Sequence, residues 1–182
     1  MKRTLAIALL LLFTTGMMLA QAAPKARPSP AGTAEFAFAD GKKVTIAYSR
    51  PYTKDPKTGE VRKIYGGLVP FDKVWRTGAN EATSLKTDAD LDINGTKVPA
   101  GSYTIYTSPS SGTWKLIVNK QTGQWGTVYD EKQDLARIDM KSSALPAPVD
   151  QFTIGFEKSG SGANLNLDWE ETRASVTVKE AK

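Results

Sequence analysis

The chain has 182 residues, with 24 Lys or Arg against 19 Asp or Glu, a formal charge of +5, and neither Cys nor His. Without His there is no Ser-His-Asp triad, imidazole base or imidazole metal ligand, and without Cys there is no thiol nucleophile, zinc-thiolate site, iron-sulfur cluster or disulfide. At 40% apolar residues the composition is that of a globular protein, which excludes collagenous, disulfide-scaffold and wholly disordered chains.

Residues 1–22 read as a secretory signal peptide. Lys2 and Arg3 precede an unbroken apolar run at residues 5–13, and Ala20-Gln21-Ala22 forms an A-x-A cleavage box. The run is shorter than the ~20 residues a bilayer span needs, and no Cys follows it to carry a lipid. The expected product is therefore periplasmic or secreted, not a lipoprotein, with no membrane span after signal cleavage. Losing Lys2 and Arg3 leaves a charge of +3, too balanced to expect nucleic acid as a partner. The remaining chain is one domain's worth, able to bury roughly two-thirds of its unfolded surface, and it relies on packing and ladder hydrogen bonds.

Residues 23–33 form a Pro-rich leader, and a single β domain is expected over residues 34–180. Phe36 and Phe38, the Asp40-Gly41 turn, then Val44, Ile46 and Tyr48 make a hairpin signature. The charged stretch at residues 54–63, with Pro56 and Gly59, reads as a solvated loop. Gly66-Gly67 lacks the Lys-Ser/Thr of a phosphate loop and reads as a bend, and residues 70–77 are the best short-helix candidate. Leu91 and Ile93 lead into Asn94-Gly95, a type I′ turn signal. Their interleaved Asp90 and Asp92 imitate the start of a calcium loop, but its twelfth position is Gly101, so an acidic strand and turn is expected and no metal site.

Further strands follow at residues 103–107 and 114–118, separated by a Pro109-to-Gly112 loop. Phe152, Ile154 and Phe156 then pair across a turn at residues 159–162 with Leu165, Leu167 and Trp169, and Val176 and Val178 close the chain after a break at residues 170–172. No segment sustains helical spacing of apolar residues. The expected fold is all-β, an antiparallel β-sandwich or flattened barrel of about eight to ten strands with at most one short helix.

The richest polar stretch runs from Trp75 to Glu81. Trp75 can stack on a ring, Arg76 can fork onto a carboxylate or phosphate, and Asn80 and Glu81 can hydrogen-bond hydroxyls. The structural alternative makes Trp75 a core plug and pairs Arg76 with Glu81 in a buried ion pair. A second cluster gathers Asn119, Trp125, Tyr129 and Asp130 in a loop-rich region.

Tyr48-Ser49-Arg50-Pro51, residues 66–70 leading into the W-R-T-G-A-N-E-A-T run at residues 75–83, Pro99-Ala100-Gly101-Ser102-Tyr103, Asn119-Lys120, Gln124-Trp125-Gly126 and Tyr129-Asp130 together resemble domain-of-unknown-function family 2911. The resemblance spans residues 33–178. It implies a secreted, single-domain, mainly β protein of bacterial envelopes, and points to no particular activity, since none is established for the family. The loop at residues 51–63 looks longer than the family's usual link.

Two functional classes follow. One is an envelope binding or interaction module presenting Arg50, Trp75, Arg76, Asn80, Glu81, Trp125 and Tyr129 to a small polar ligand, glycan or envelope protein, with no cofactor. The other is a hydrolase-like enzyme, restricted without His and Cys to carboxylate, tyrosine or lysine chemistry, with Glu81 as acid or base, Asp130 as a second candidate carboxylate, and Arg50 or Arg76 stabilising negative charge. Both expect Arg50 and the Trp75-Arg76 turn to share one pocket.

Overall fold

Period-two alternation becomes nine strands in a computed structural model that describes residues 27–182. The expected signal peptide and the start of the leader lie outside the described residues. The strands are β1 (Ala31–Ala37), β2 (Lys43–Ser49), β3 (Ser84–Thr87), β4 (Leu91–Ile93), β5 (Thr96–Val98), β6 (Gly101–Ser108), β7 (Trp114–Asn119), β8 (Asp134–Ser159) and β9 (Gly162–Glu180). They form one antiparallel sheet, not closed, in the order β1-β2-β3-β6-β7-β8-β9-β4-β5. Among the described residues the only helix is a 3₁₀ turn at Glu131–Gln133, capped by the Asp130 carboxylate on Lys132 N. Residues 70–77 are not helical. None of the described helices is long and apolar enough to cross a membrane.

The turns obey the sequence chemistry. Asn94 and Gly95 take φ of 46° and 87°, the left-handed pair a two-residue hairpin turn requires. Asp92 Oδ1 accepts from Gly95 N at 2.6 Å and Asp90 Oδ1 from Ala100 N at 2.8 Å, so these aspartates fasten turns. The break expected at residues 170–172 lies inside β9, opposite a stretch where β8 carries the extra residues: Glu170 has φ 51° and opposes Val149, between Pro146–Pro148 and the resumed ladder of β8. Those prolines cannot donate to a ladder, which is where the register shifts.

The long strand β8 links the two layers. Its residues 134–140 pair with β7, and its residues 141–159 pair with β9, which continues to β4. The sheet folds over so that β1 and β2 meet the far half of β8. Phe36 lies 6.1 Å from Phe156 and Tyr48 5.8 Å from Phe152, ring centre to ring centre. Between the layers sit Ile46, Leu85, Leu91, Ile105, Trp114, Leu116, Met140, Phe152, Leu167 and Trp169, all buried. The opposite face of β6 and β7 is covered too. Tyr106 and Ile117 are buried there, and Tyr106 donates its hydroxyl to Val128 O at 2.6 Å and packs on Tyr129 at 4.9 Å.

Polar ties seal the layer contact. The buried Tyr48 hydroxyl donates to Ile154 O at 3.3 Å and accepts from Ile154 N at 2.8 Å. Replacing Tyr48 by Phe strands a buried N–H, which costs about 1–3 kcal/mol. Urea denaturation of Tyr48→Phe is expected to lose that much stability, and an unchanged midpoint would contradict the two-layer register.

Candidate functional site

Residues 71–83 belong to no strand, yet they are fastened to β6. Trp75 and Thr107 exchange backbone hydrogen bonds at 2.7 and 3.0 Å, and Thr83 O accepts from Ile105 N at 2.9 Å. Buried hydroxyls complete the tie, with Thr77 donating to Thr107 Oγ1 at 3.1 Å and Thr83 to Thr77 O at 2.8 Å. Between the anchors Thr77 and Asn80 take φ of 54° and 58°. A β-branched residue there is strained, by about 1–3 kcal/mol.

The bridge at Trp75 sets side-chain direction, because neighbouring residues of an extended segment point to opposite sides. The Trp75 ring points inward. It stacks on Trp169 at 5.8 Å and 19°, and meets Phe152 at 5.0 Å and Tyr65 at 6.5 Å edge-on. Arg76 points into a cleft of about 470 Å³ walled by Pro28 and Ser29 of the leader, by Tyr52, Lys54 and Arg62, by Trp75 and Asn80 of its own segment, and by Tyr106, Gly126 and Tyr129. Gly126 lets the walls approach: a Cβ there would lie 2.7 Å from Arg76 Cδ and 2.8 Å from Asn80 O.

The charges in this cleft all have one sign. Its lining includes Lys54, Arg62 and Arg76 and not one carboxylate among the described residues. Arg76 is half-buried, and burial lowers its hold on its proton, although a guanidinium stays charged. Its only side-chain hydrogen bond among the described residues is a long one, Nε to Gly78 O at 3.4 Å. Trp169 also lines the cleft, with its buried Nε1–H lacking an acceptor. Aromatic faces from Tyr52, Trp75, Tyr106 and Tyr129 complete the wall. The arrangement can hold an acceptor-rich anion beside a flat group.

Trp75, Arg76, Asn80 and Tyr129 are thus brought together, while Arg50, Glu81 and Trp125 do not line the cleft. Arg50 turns to β8, donating from Nε to Phe152 O at 3.2 Å and from Nη2 to Thr153 Oγ1 at 2.8 Å. The shared pocket expected for Arg50 and Arg76 is not formed, because the Arg50 guanidinium closes the layer seam. Glu81 is exposed and accepts from Arg27 Nη1 at 2.7 and 2.9 Å, which corrects the expected Arg76–Glu81 ion pair. Its carboxyl is held below the usual value by its own backbone N–H and by Arg27. Trp125 bridges Glu81 through backbone and remains 50% exposed beside the lining residues Gly126 and Thr127.

Two of the lining residues are polar but already occupied. Asn80 Nδ2 donates to Ser29 O and Ser49 Oγ, both at 3.3 Å, holding leader and β2 to the turn. The Tyr129 hydroxyl donates to Asp134 at 2.6 Å and accepts from Arg137 at 2.7 Å. Burial and the Asp134 carboxylate raise its pKa, so the phenol stays neutral. Sequence reasoning missed Tyr52, Lys54, Arg62 and Trp169: the first three sit in a stretch whose Pro and Gly signalled only a loop, and Trp169 reads as core. A second cleft of about 640 Å³ lies on the other side of residues 51–63, lined by Asp150, Glu170 and Glu171 without a cation. No cluster of three potential metal ligands of the His, Cys, Asp or Glu types occurs among the described residues.

Gly126→Ala is expected to cost about 1–3 kcal/mol by overpacking against the Asn80 backbone. Glu81→Gln, at an exposed pair, leaves the urea midpoint unchanged. The reverse order of effects would contradict this placement of the two residues.

A family model described as "Protein of unknown function (DUF2911)" matches residues 29–178. No curated protein and no solved structure matches the chain. The matched span contains every strand core and all of the cleft lining except Pro28. This chain belongs to the DUF2911 family of proteins of unknown function.

Proposed function

We propose that the protein is an exported binding module of the bacterial envelope, and that its cleft takes a small anion, a phosphate or carboxylate attached to a flat group. The observation that carries this reading is the half-buried Arg76 with no carboxylate partner among the described residues, in a cleft whose charged lining residues are all cations and stand among aromatic side chains. Taking a cation out of water without a counter-charge is unfavourable. A bound anion offsets that cost, and Trp169, another lining residue, has a buried N–H donor without an acceptor. The cleft volume suits a ligand of small-molecule size better than a protein surface. Residues 1–22, with their basic start, apolar run and A-x-A box, support export.

The hydrolase alternative loses its acid–base group, since Glu81 stands outside the cleft in an ion pair with Arg27. Asp130, its other candidate carboxylate, caps the 3₁₀ turn.

Phenyl phosphate joins both features in one probe. Isothermal titration at low salt is expected to give saturable binding, absent for phenol. Arg76→Gln is expected to weaken it about 10- to 150-fold, the value of one charge-assisted hydrogen bond. Raising ionic strength toward about 1 M, where the Debye length falls to about 3 Å, should weaken binding further. Equal affinity of wild type and Arg76→Gln would overturn the reading.

A further inference from the structure

Residues 51–63 are a docked flap rather than the solvated loop that their Pro, Gly and charges imply. Phe152 N donates to Pro51 O at 2.9 Å, Thr53 N donates to Asp150 O at 2.7 Å, and Tyr52 bridges Gln151. The flap then folds back on itself through a Lys54–Val61 bridge and a hydrogen bond from Arg62 N to Thr53 O at 3.0 Å. The Arg62 side chain braces it from inside, with Nη2 donating to Tyr52 O at 2.5 Å and Nε to Thr53 O at 3.3 Å.

Alternation along this extended flap sorts its side chains. Tyr52, Lys54 and Arg62 line the cationic cleft, while Thr53 and Val61 line the acidic one, where the Thr53 hydroxyl donates to Asp150. The flap's only ion pair among the described residues is Arg62 to Asp55, at 3.9 Å. Lys54 is exposed, has no carboxylate partner among the described residues, and stands on a backbone fixed at both ends. It is a second cation poised over the same cleft as Arg76, with a more flexible, strongly hydrated head.

Resting on the anion-binding reading above, we infer that the ligand carries two anionic centres joined by a flat segment: one centre is taken by Arg76 on the cleft wall, the other by Lys54 on the flap. Dicarboxylates and phosphorylated acids built on a ring belong to this class. Arg76 supplies the forked, half-buried contact that binds any such anion. Lys54 discriminates, because a ligand with a single anionic group leaves it nothing to meet. The flap is thus the specificity element of the cleft, and two of the three cations that line it come from this one segment.

The test compares phenyl phosphate with 4-carboxyphenyl phosphate, which differ by a single carboxylate, by titration calorimetry on the same preparations. The wild type is expected to prefer the carboxylated probe about fivefold or more, the value of one ion contact near water. Lys54→Gln, at an exposed position, folds normally and reduces that preference to about twofold or less, because its loss falls more heavily on 4-carboxyphenyl phosphate than on phenyl phosphate. Lys57→Gln, on the same flap but not in the cleft lining, keeps the full preference and so separates local contact from overall charge. Equal binding of the two probes to the wild type, or equal effects of Lys54→Gln and Lys57→Gln, would overturn the two-anion inference while Arg76-dependent binding of phenyl phosphate leaves the simpler reading standing. Failure of both probes to bind overturns both.

Discussion

The stacking of Trp75 on Trp169 is the contact on which the rest of the site depends. Trp75 comes from a segment outside the ladders, Trp169 from β9 one residue before the left-handed Glu170, and Phe152 of β8 closes the third side at 5.0 Å from Trp75. Large aromatic surfaces carry much of the favourable energy in such a contact, because each buries some 150–250 Å². Once that ring is committed inward, the extended backbone at the Trp75–Thr107 bridge leaves the next residue no choice but to face out. Arg76 therefore owes its position to its neighbour's packing.

Several features around the cleft oppose stability. A half-buried guanidinium without a carboxylate, a buried indole N–H without an acceptor, and left-handed Thr77 and Asn80 each raise the free energy of the folded state. Arg76, Asn80 and Trp169 line one cleft, and Thr77 is the residue next to Arg76. The buried threonine network and the paired walls at Gly126 and Asn80 hold the chain in that geometry. Local conflicts of this kind, enforced by well-packed surroundings, concentrate at functional or strained sites.

The hairpins were legible because local chemistry decides them. Asp40-Gly41 and Asn94-Gly95 favour positive φ, and apolar residues on either side repeat every second position, so β1–β2 and β4–β5 follow from the residues themselves. The first half of β8 was not legible. Its inward positions are Ala136, Ile138 and Met140, and the prolines at 146 and 148 argue against a strand that the partner β9 nevertheless completes. Phe71 and Val74 imitated one helical turn, but Asp72 takes φ 58°, and Trp75 is claimed by β6. The site was half legible for the same reason. The Trp75–Asn80 run announced its chemistry, whereas the partners of Arg50, Glu81 and Lys54 are set by distant backbone: β8 for Arg50, the leader for Glu81, the flap fold for Lys54. Spacing along a loop carries no information about such pairings.

The most direct measurement is a crystal structure of the protein soaked in bromide, with anomalous scattering used to place the halide. The account predicts a bromide peak within hydrogen-bond reach of the Arg76 guanidinium, beneath the flap, with Trp75 still stacked on Trp169. An Arg76 side chain paired with a carboxylate, and halide only at scattered surface lysines, would contradict it.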